Sequence, residues 1–239
     1  MQDRRPTIAM LTIGQAPRED VVPAMRPYFP PAVRVVEYGA LDDLNHSQIE
    51  PYLASEGEVG IVTQLRDGTS VLLSHERILP AMQEKVDLAV ERDGADVIVV
   101  LCGADWSALQ SPVLLVNPGT VFPSVISTLA RGRTLGVIKP SAGQIEKERK
   151  RYRELEIEAI VTAASPYVGE ERLAEARRAA EELRDAGCDL IWMTCVGMDE
   201  PMRDVVRDVT GVPVLLAHAL LARITAELIG SRAEVRAGV

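Results

Sequence analysis

The sequence predicts an α/β fold made of two similar halves, each built on a mainly parallel sheet. Three observations predict it. Short apolar runs of strand length alternate with helix-period segments over short connections, the pattern of βαβ units. Apolar residues make up 47% of the 239 residues and aromatics only 4%, so the core is aliphatic, which favours layered α/β packing over a β-sandwich. One pattern also occurs twice: Gly94-Ala95-Asp96, an apolar strand, then Cys102-Gly103; and Gly187-Cys188-Asp189, an apolar strand, then Cys195 with Gly197 two residues on.

The elements follow in order. Thr7–Ile13 reads as a first buried strand, Gly14–Arg18 as its turn and Arg18–Val22 as the opening of a helix. Val33–Val36 is a second strand, continued by a Glu37–Leu41 loop, and Ser47–Leu53 a short helix. Gly60–Thr63 and Val71–Leu73 flank an Asp-Gly turn at Arg66–Thr69, as a hairpin would. Ser74 stands at the N-cap of a helix from His75 to Asp93, with Pro80 delaying its start or kinking it. Gly94 ends that helix, and strand Val97–Leu101 delivers Cys102. A second series begins with strand Val113–Val116, a turn at Asn117–Thr120 and a helix from Phe122 to Ala130 opened by Pro123. Strands Arg133–Ile138, Glu158–Ala163, Leu190–Thr194 and Val214–Leu216 then alternate with helices Ile145–Leu155, Glu170–Ala186, Met202–Val209 and His218–Ile229, with a frayed tail after Gly230. The expected halves are residues 1–116 plus 217–239, carrying Cys102, and residues 117–216, carrying Cys195.

Composition excludes several classes. The 26 basic and 35 acidic residues give a net charge of −9, with no basic run to bind a nucleic acid. No apolar run approaches the roughly 18 residues of a membrane span. The polar start Met1–Pro6 leads directly into a strand rather than a signal-peptide core, so a cytoplasmic protein is expected. Three cysteines make no disulfide framework. No CxxC occurs, and His46, His75 and His218 lie at no ligand spacing from the cysteines, so no metal site is expected.

Chemistry concentrates at the strands' carboxyl ends, where ligands of parallel sheets bind. A lone cysteine there is more often a small buried hydrophobe than a catalyst. The matched pair, Cys102 and Cys195, points further, to two thiols facing across a shared cleft and moving a proton from one face of a carbon to the other. Thiols titrate near working pH, which suits acid–base work. Neighbouring Gly103, Val196 and Gly197 allow backbone N–H groups close to a ligand. Thr12, Thr63, Asn117, Ser141 and Thr194 are candidates to cradle a small substrate, Arg66 to clamp a carboxylate, and Asp67 lies beside it; for any one of these a capped or solvated turn competes. Cys188, at the opposite strand end, reads as structural, Asp105 as an orienter of a proton donor, and His218 as a cap or core contact.

Leu11-Thr12-Ile13-Gly14, Arg66-Asp67-Gly68, Asn117-Pro118, Gly136-Val137-Ile138, Cys195-Val196-Gly197-Met198 and Gly211–Leu216 together resemble the AroM family, over residues 7 to about 229. That family is similar to the aspartate/glutamate/hydantoin racemase superfamily. The resemblance implies two Rossmann-like halves related by a pseudo-two-fold axis, an active site between them, Cys102 and Cys195 as the two catalytic cysteines, and no metal, nucleotide or pyridoxal cofactor. Superfamily members are often dimers, so a homodimer acting on a small molecule is the expected assembly. One departure stands out: Gly103-Ala104-Asp105-Trp106 follows the first cysteine where many racemases have a polar Asn-Thr pair. The leading expectation is a cofactor-independent racemase or epimerase acting beside a carbonyl of a small acid, amide or hydantoin-like compound. The alternatives are a single-cysteine decarboxylase or maleate-isomerase-like enzyme, and a non-catalytic binder of small metabolites.

Overall fold

The computed structural model of the protein describes residues 5–236; the polar start Met1–Arg4 lies outside them. Contacts divide the chain into two compact units, residues 1–120 with 221–239, and residues 121–220.

The first unit holds strands β1 (Thr7–Thr12), β2 (Arg34–Gly39), β5 (Val97–Val100) and β6 (Leu114–Val116), all parallel, in the order β2-β1-β5-β6. Every residue of β1 and β5 is buried. That is the signature of a parallel strand covered on both faces, and it explains their unbroken apolar runs. Strands β3 (Ile61–Gln64) and β4 (Ser70–Leu73) form a separate antiparallel hairpin, whose turn needs Gly68 at φ +88°. Short helices α1 (Val22–Met25) and α2 (His46–Ile49) lie between the first strands. Helix α3 (His75–Glu91) buries Ile78, Met82, Val86 and Ala89, one face at helical spacing. Pro80 sits inside α3 without delaying its start. Ser74 occupies the N-cap position, but its side chain makes no capping hydrogen bond.

The second unit repeats the scheme with β7 (Leu135–Lys139), β8 (Ala159–Ala163), β9 (Leu190–Met193) and β10 (Val214–Leu216), parallel and ordered β8-β7-β9-β10. Numbered within its own unit, each sheet runs second-first-third-fourth. Helices α5 (Ile145–Glu154), α6 (Glu171–Asp185) and α7 (Glu200–Thr210) connect its strands. The buried face of α6 is Ala176, Ala179, Ala180 and Leu183, mostly small side chains that let the helix approach closely.

Several helix boundaries differ from the sequence expectation: α1 begins at Val22 rather than at Arg18, and α7 at Glu200 rather than Met202, and two further differences have clear causes. Helix α4 (Pro118–Leu129) begins four residues before Phe122. Asn117 is its N-cap, accepting the Gly119 N–H on Oδ1 at 3.0 Å, and Pro118 takes the first helical position, where its missing N–H is harmless. What reads as an Asn-Pro-Gly-Thr turn is therefore a helix start, and Pro123 lies inside the helix. Helix α8 (Ala217–Arg236) also continues past Gly230 instead of fraying there. The boundaries between the units fall within α4 and α8.

The repeated aspartate has a repeated job. In the first unit Thr7 N–H donates to Asp96 Oδ2 at 2.9 Å, and Asp96 N–H donates to Thr7 O at 2.8 Å. In the second, Thr134 N–H donates to Asp189 Oδ2 at 3.4 Å, and Asp189 N–H donates to Thr134 O at 3.0 Å. Each aspartate thus locks the entrance of its unit's first strand to the entrance of the third. Asp96 is 4% exposed, whereas the Asp189 side chain is half-exposed. A carboxylate–amide bond stabilises most where water is excluded. Asp96→Ala should therefore cost about 2–3 kcal/mol in urea unfolding and Asp189→Ala about 1 kcal/mol or less.

Candidate functional site

In a second-first-third-fourth parallel sheet, the connections from the first and third strands leave to opposite sides, and a crevice opens between their carboxyl ends. In the first unit that crevice lies between β1 and β5. Leu11 pairs with Val100, so Thr12 and Cys102 stand at its two lips. In the second unit it lies between β7 and β9. Ile138 pairs with Met193, which brings Ser141 and Cys195 to the equivalent lips. Both thiols are half-buried, each packed against its own unit's core.

The loop after Cys102 is held from several sides. Asn117 Oδ1 accepts from the Trp106 N–H at 3.1 Å, and Asn117 Nδ2 donates to Asp105 Oδ1 at 2.9 Å and to Ser107 Oγ at 3.3 Å. The fully buried Trp106 turns its indole N–H back to Cys102 O at 3.3 Å. His75 Nε2 meets Asp105 O at 2.8 Å, and its ring lies against Trp106 with centroids 4.6 Å apart. Gly119 is required at its position, because a Cβ there would come within 2.2 Å of Ala104 O. Bonds from Ser107 and then Asn117 hold the Asp105 carboxyl below the usual carboxylate range.

The loop after Cys195 is a turn closed by Met198 N–H donating to Cys195 O at 3.1 Å. Among the described residues, the Val196 and Gly197 N–H groups make no hydrogen bond. They are therefore two donors available beside the thiol. Tyr167 Oη lies 3.8 Å from Cys195 Sγ, and this packing needs Gly197, whose added Cβ would come within 2.5 Å of that hydroxyl. Asp199 caps α7 through the Met202 N–H at 2.9 Å and receives Arg172 Nε at 2.9 Å. His218, 1% exposed, sits between Met198 O at 2.9 Å from Nδ1 and Glu200 Oε1 at 2.9 Å from Nε2.

The polar candidates divide into two groups. Thr63 is buried, and its Oγ1 has no hydrogen-bond partner among the described residues. It lies against the β1 turn, where a Cβ on Gly14 would meet it at 2.6 Å. Ser141, half-buried, opens the turn after β7 with its side chain making no capping bond. Gly103 is exposed directly after Cys102. The other candidates already use their polar groups on the protein. Thr12 Oγ1 accepts from Gly14 N–H and Arg18 Nη1. Thr194 Oγ1 donates to Ile138 O. Arg66 donates to Ala16 O from Nε and Nη2. Asp67 caps its own turn through the Thr69 N–H and also pairs with His46; those bonds, the Thr69 amide first, hold it down to about 2.

Sequence reading missed Arg18. It is 4% exposed at the β1 mouth, donating from Nη1 to Thr12 Oγ1 and from Nε and Nη2 to Asp20. The only sequence signal is that Arg18 and Asp20 stand two apart just after the turn. Asp42 anchors the same turn, accepting Ala16 N–H at 2.6 Å and Gly39 N–H at 2.7 Å. Among the described residues, no group of three or more His, Cys, Asp or Glu is placed to hold a metal ion, and no helix is long and apolar enough to cross a membrane.

Cys188 behaves differently from the other two cysteines. It is buried at the far end of β9, where burial, with Asp189 and Glu158 adding to it, pushes its thiol up to about 11. At pH 8, iodoacetamide should modify it about 100-fold more slowly than an ordinary exposed thiol. Folding keeps this thiol protonated above pH 9 while the unfolded chain ionises. Its contribution to stability is therefore whole below about pH 9 and lost toward pH 11. Urea midpoints over that window should fall less steeply in Cys188→Ala than in the wild type.

A family model described as AroM protein matches residues 8–229. No curated protein matches the chain. Among solved structures, allantoin racemase from Klebsiella pneumoniae is 13% identical with a TM-score of 0.59, over 95% of this chain and 89% of its own. The aspartate racemase of Picrophilus torridus is 14% identical with a TM-score of 0.59, over 94% of each chain. Arylmalonate decarboxylase is 14% identical with a TM-score of 0.55, over 94% of this chain and 92% of its own. At these identities the likeness is one of fold.

Proposed function

The chain belongs to the AroM family, and on that premise we propose that it is a cofactor-independent racemase or epimerase. It would act at a carbon next to a carbonyl in a small acid, amide or hydantoin-like compound. The observation that supports this is the equivalent placement of Cys102 and Cys195. Each follows the third strand of a second-first-third-fourth parallel sheet, at the lip where such sheets take ligands.

In this reading one cysteine, as thiolate, removes the proton from the α-carbon. The electron pair moves onto the carbonyl oxygen as an enolate, and the other cysteine, as thiol, returns a proton to the opposite face. Substrate and product are isomers, so the step needs no electron acceptor. The thiol and thiolate have exchanged roles, which leaves the enzyme poised for the reverse reaction until proton exchange with solvent restores the starting state. The N–H groups of Val196 and Gly197 are the donors this reading assigns to the developing oxyanion, since preorganised donors act most strongly where charge appears. Thr63 and Ser141 are the side-chain contacts to substrate. Thr12, Arg66, Asp67, Asn117 and Thr194 instead hold the loops that carry these groups. The thiol chemistry suits a reducing, cytoplasmic setting.

A second reading has one specific support, the fold shared with arylmalonate decarboxylase. A substrate would lose carbon dioxide, leaving its electron pair as an enolate, and a single cysteine would protonate that enolate. Solvent-deuterium exchange followed by NMR, over hydantoins, amino acids and small hydroxy or dicarboxylic acids, separates the readings. Under the racemase reading, Cys102→Ala and Cys195→Ala each lower exchange by roughly 10²- to 10⁴-fold, the usual size of one acid–base group. Full turnover retained by one of the two variants would transfer the assignment to single-thiol chemistry. Ligand binding without exchange by the wild type would identify a non-catalytic binder.

A further inference from the structure

In each unit the chain segment after the fourth strand returns to the loop that follows the third strand. Asn117, directly after β6, bonds Trp106 N, Asp105 Oδ1 and Ser107 Oγ in the loop behind Cys102. His218, two residues after β10, bonds Met198 O and Glu200 Oε1 in the loop behind Cys195. The two residues differ in chemistry but hold equivalent places in the repeated topology.

Hydrogen bonding fixes what each can do. Asn117 uses both functions of its amide: the oxygen receives two backbone N–H groups, of Trp106 and Gly119, and the nitrogen donates to Asp105 and Ser107. For His218, Met198 O can only accept, which assigns a proton to Nδ1. Nε2 meets Glu200 Oε1 at 2.9 Å, so buried His218 ties the Met198 carbonyl, three residues after the thiol, to the first residue of α7.

We propose that Asn117 and His218 are paired positioning residues, each setting the conformation of one thiol loop and so the reactivity of Cys102 and Cys195 separately. Neither touches the reacting atoms. Asn117 acts through Asp105 and Trp106, whose indole N–H reaches Cys102 O. His218 acts through Met198, whose N–H closes the turn onto Cys195 O. This inference rests on the two-thiol reading for its significance, but its test does not need a substrate.

The test is the alkylation rate of each thiol by iodoacetamide, read separately by peptide mass spectrometry on the full-length protein. Asn117→Ala should change the Cys102 rate by roughly 3- to 10-fold, the equivalent of about one net hydrogen bond, and leave Cys195 within about 2-fold. His218→Ala should do the reverse. His218→Asn, whose amide can still donate to Met198 O, should restore the Cys195 rate toward wild type. Each thiol is thus the control for the other, which a general loosening of the structure would not satisfy. If the alanine variants fail to fold, Asn117→Asp and Glu200→Ala test the same two arms. Asn117→Asp keeps the acceptor but sets a carboxylate against Asp105, and Glu200 is only partly buried. Equal shifts at both thiols, or none at either, would overturn the proposal. Separate control of the thiols without exchange on any substrate would leave this inference standing and remove the racemase reading. Exchange that needs both cysteines, without separate control, would do the opposite.

Discussion

Each half of this protein depends on a hydrogen-bonded exchange between the entrances of its first and third strands. Asp96 trades backbone and carboxylate bonds with Thr7, and Asp189 does the same with Thr134. A parallel strand can slip in register, and a one-residue slip would turn every side chain to the other face. Fixing the entrance fixes the exit. With Ile8 opposite Val97 and Leu135 opposite Leu190, a few residues of buried strand later each chain must emerge with its cysteine at the mouth. The placement of each thiol is set at the opposite end of its strand.

Around those exits the protein spends its polar side chains on holding loops. Asp42, Gln15 and Arg66 pin the turn after β1. Asn117 and His75 pin the loop after Cys102. Asp199 and His218 pin the loop after Cys195. The two loops after β5 and β9 each begin at a thiol and are held by side chains from elsewhere in the chain, so their chemistry depends on conformation. Glycine has matching importance at two of them, where a Cβ on Gly119 or Gly197 would collide with the loop backbone or with Tyr167. Among the described residues, the buried Thr63 hydroxyl has no hydrogen-bond partner. A buried polar group left unpaired is costly, and this one lies against the turn after β1.

Most of the fold was legible in the sequence because it rests on local signals. Apolar runs bounded by glycine and proline gave every strand of both sheets, and helix-period segments gave the long helices. The failures were also local. Asn117-Pro118-Gly119-Thr120 uses residues that serve a turn and a helix start equally well, and only the bonds made by Asn117 decide between them. The helix past Gly230 was missed for a related reason: glycine weakens a helix without forbidding it.

The sequence by itself determined that two cysteines end two matching strands, because strand length, flanking glycines and the preceding aspartate are all written within a dozen residues. The tertiary structure alone decided which polar residues are bonded within the protein. Arg66, Asp67 and Asn117 look like substrate contacts in the sequence, and in the structure each also makes hydrogen bonds within the protein. Arg18, inconspicuous in the sequence, is buried at the β1 mouth, and His218 reaches back twenty residues to the Cys195 loop. The physical reason is that a polar side chain's role depends on which partner reaches it first. Those partners come from segments far away in the chain, where no local pattern records them.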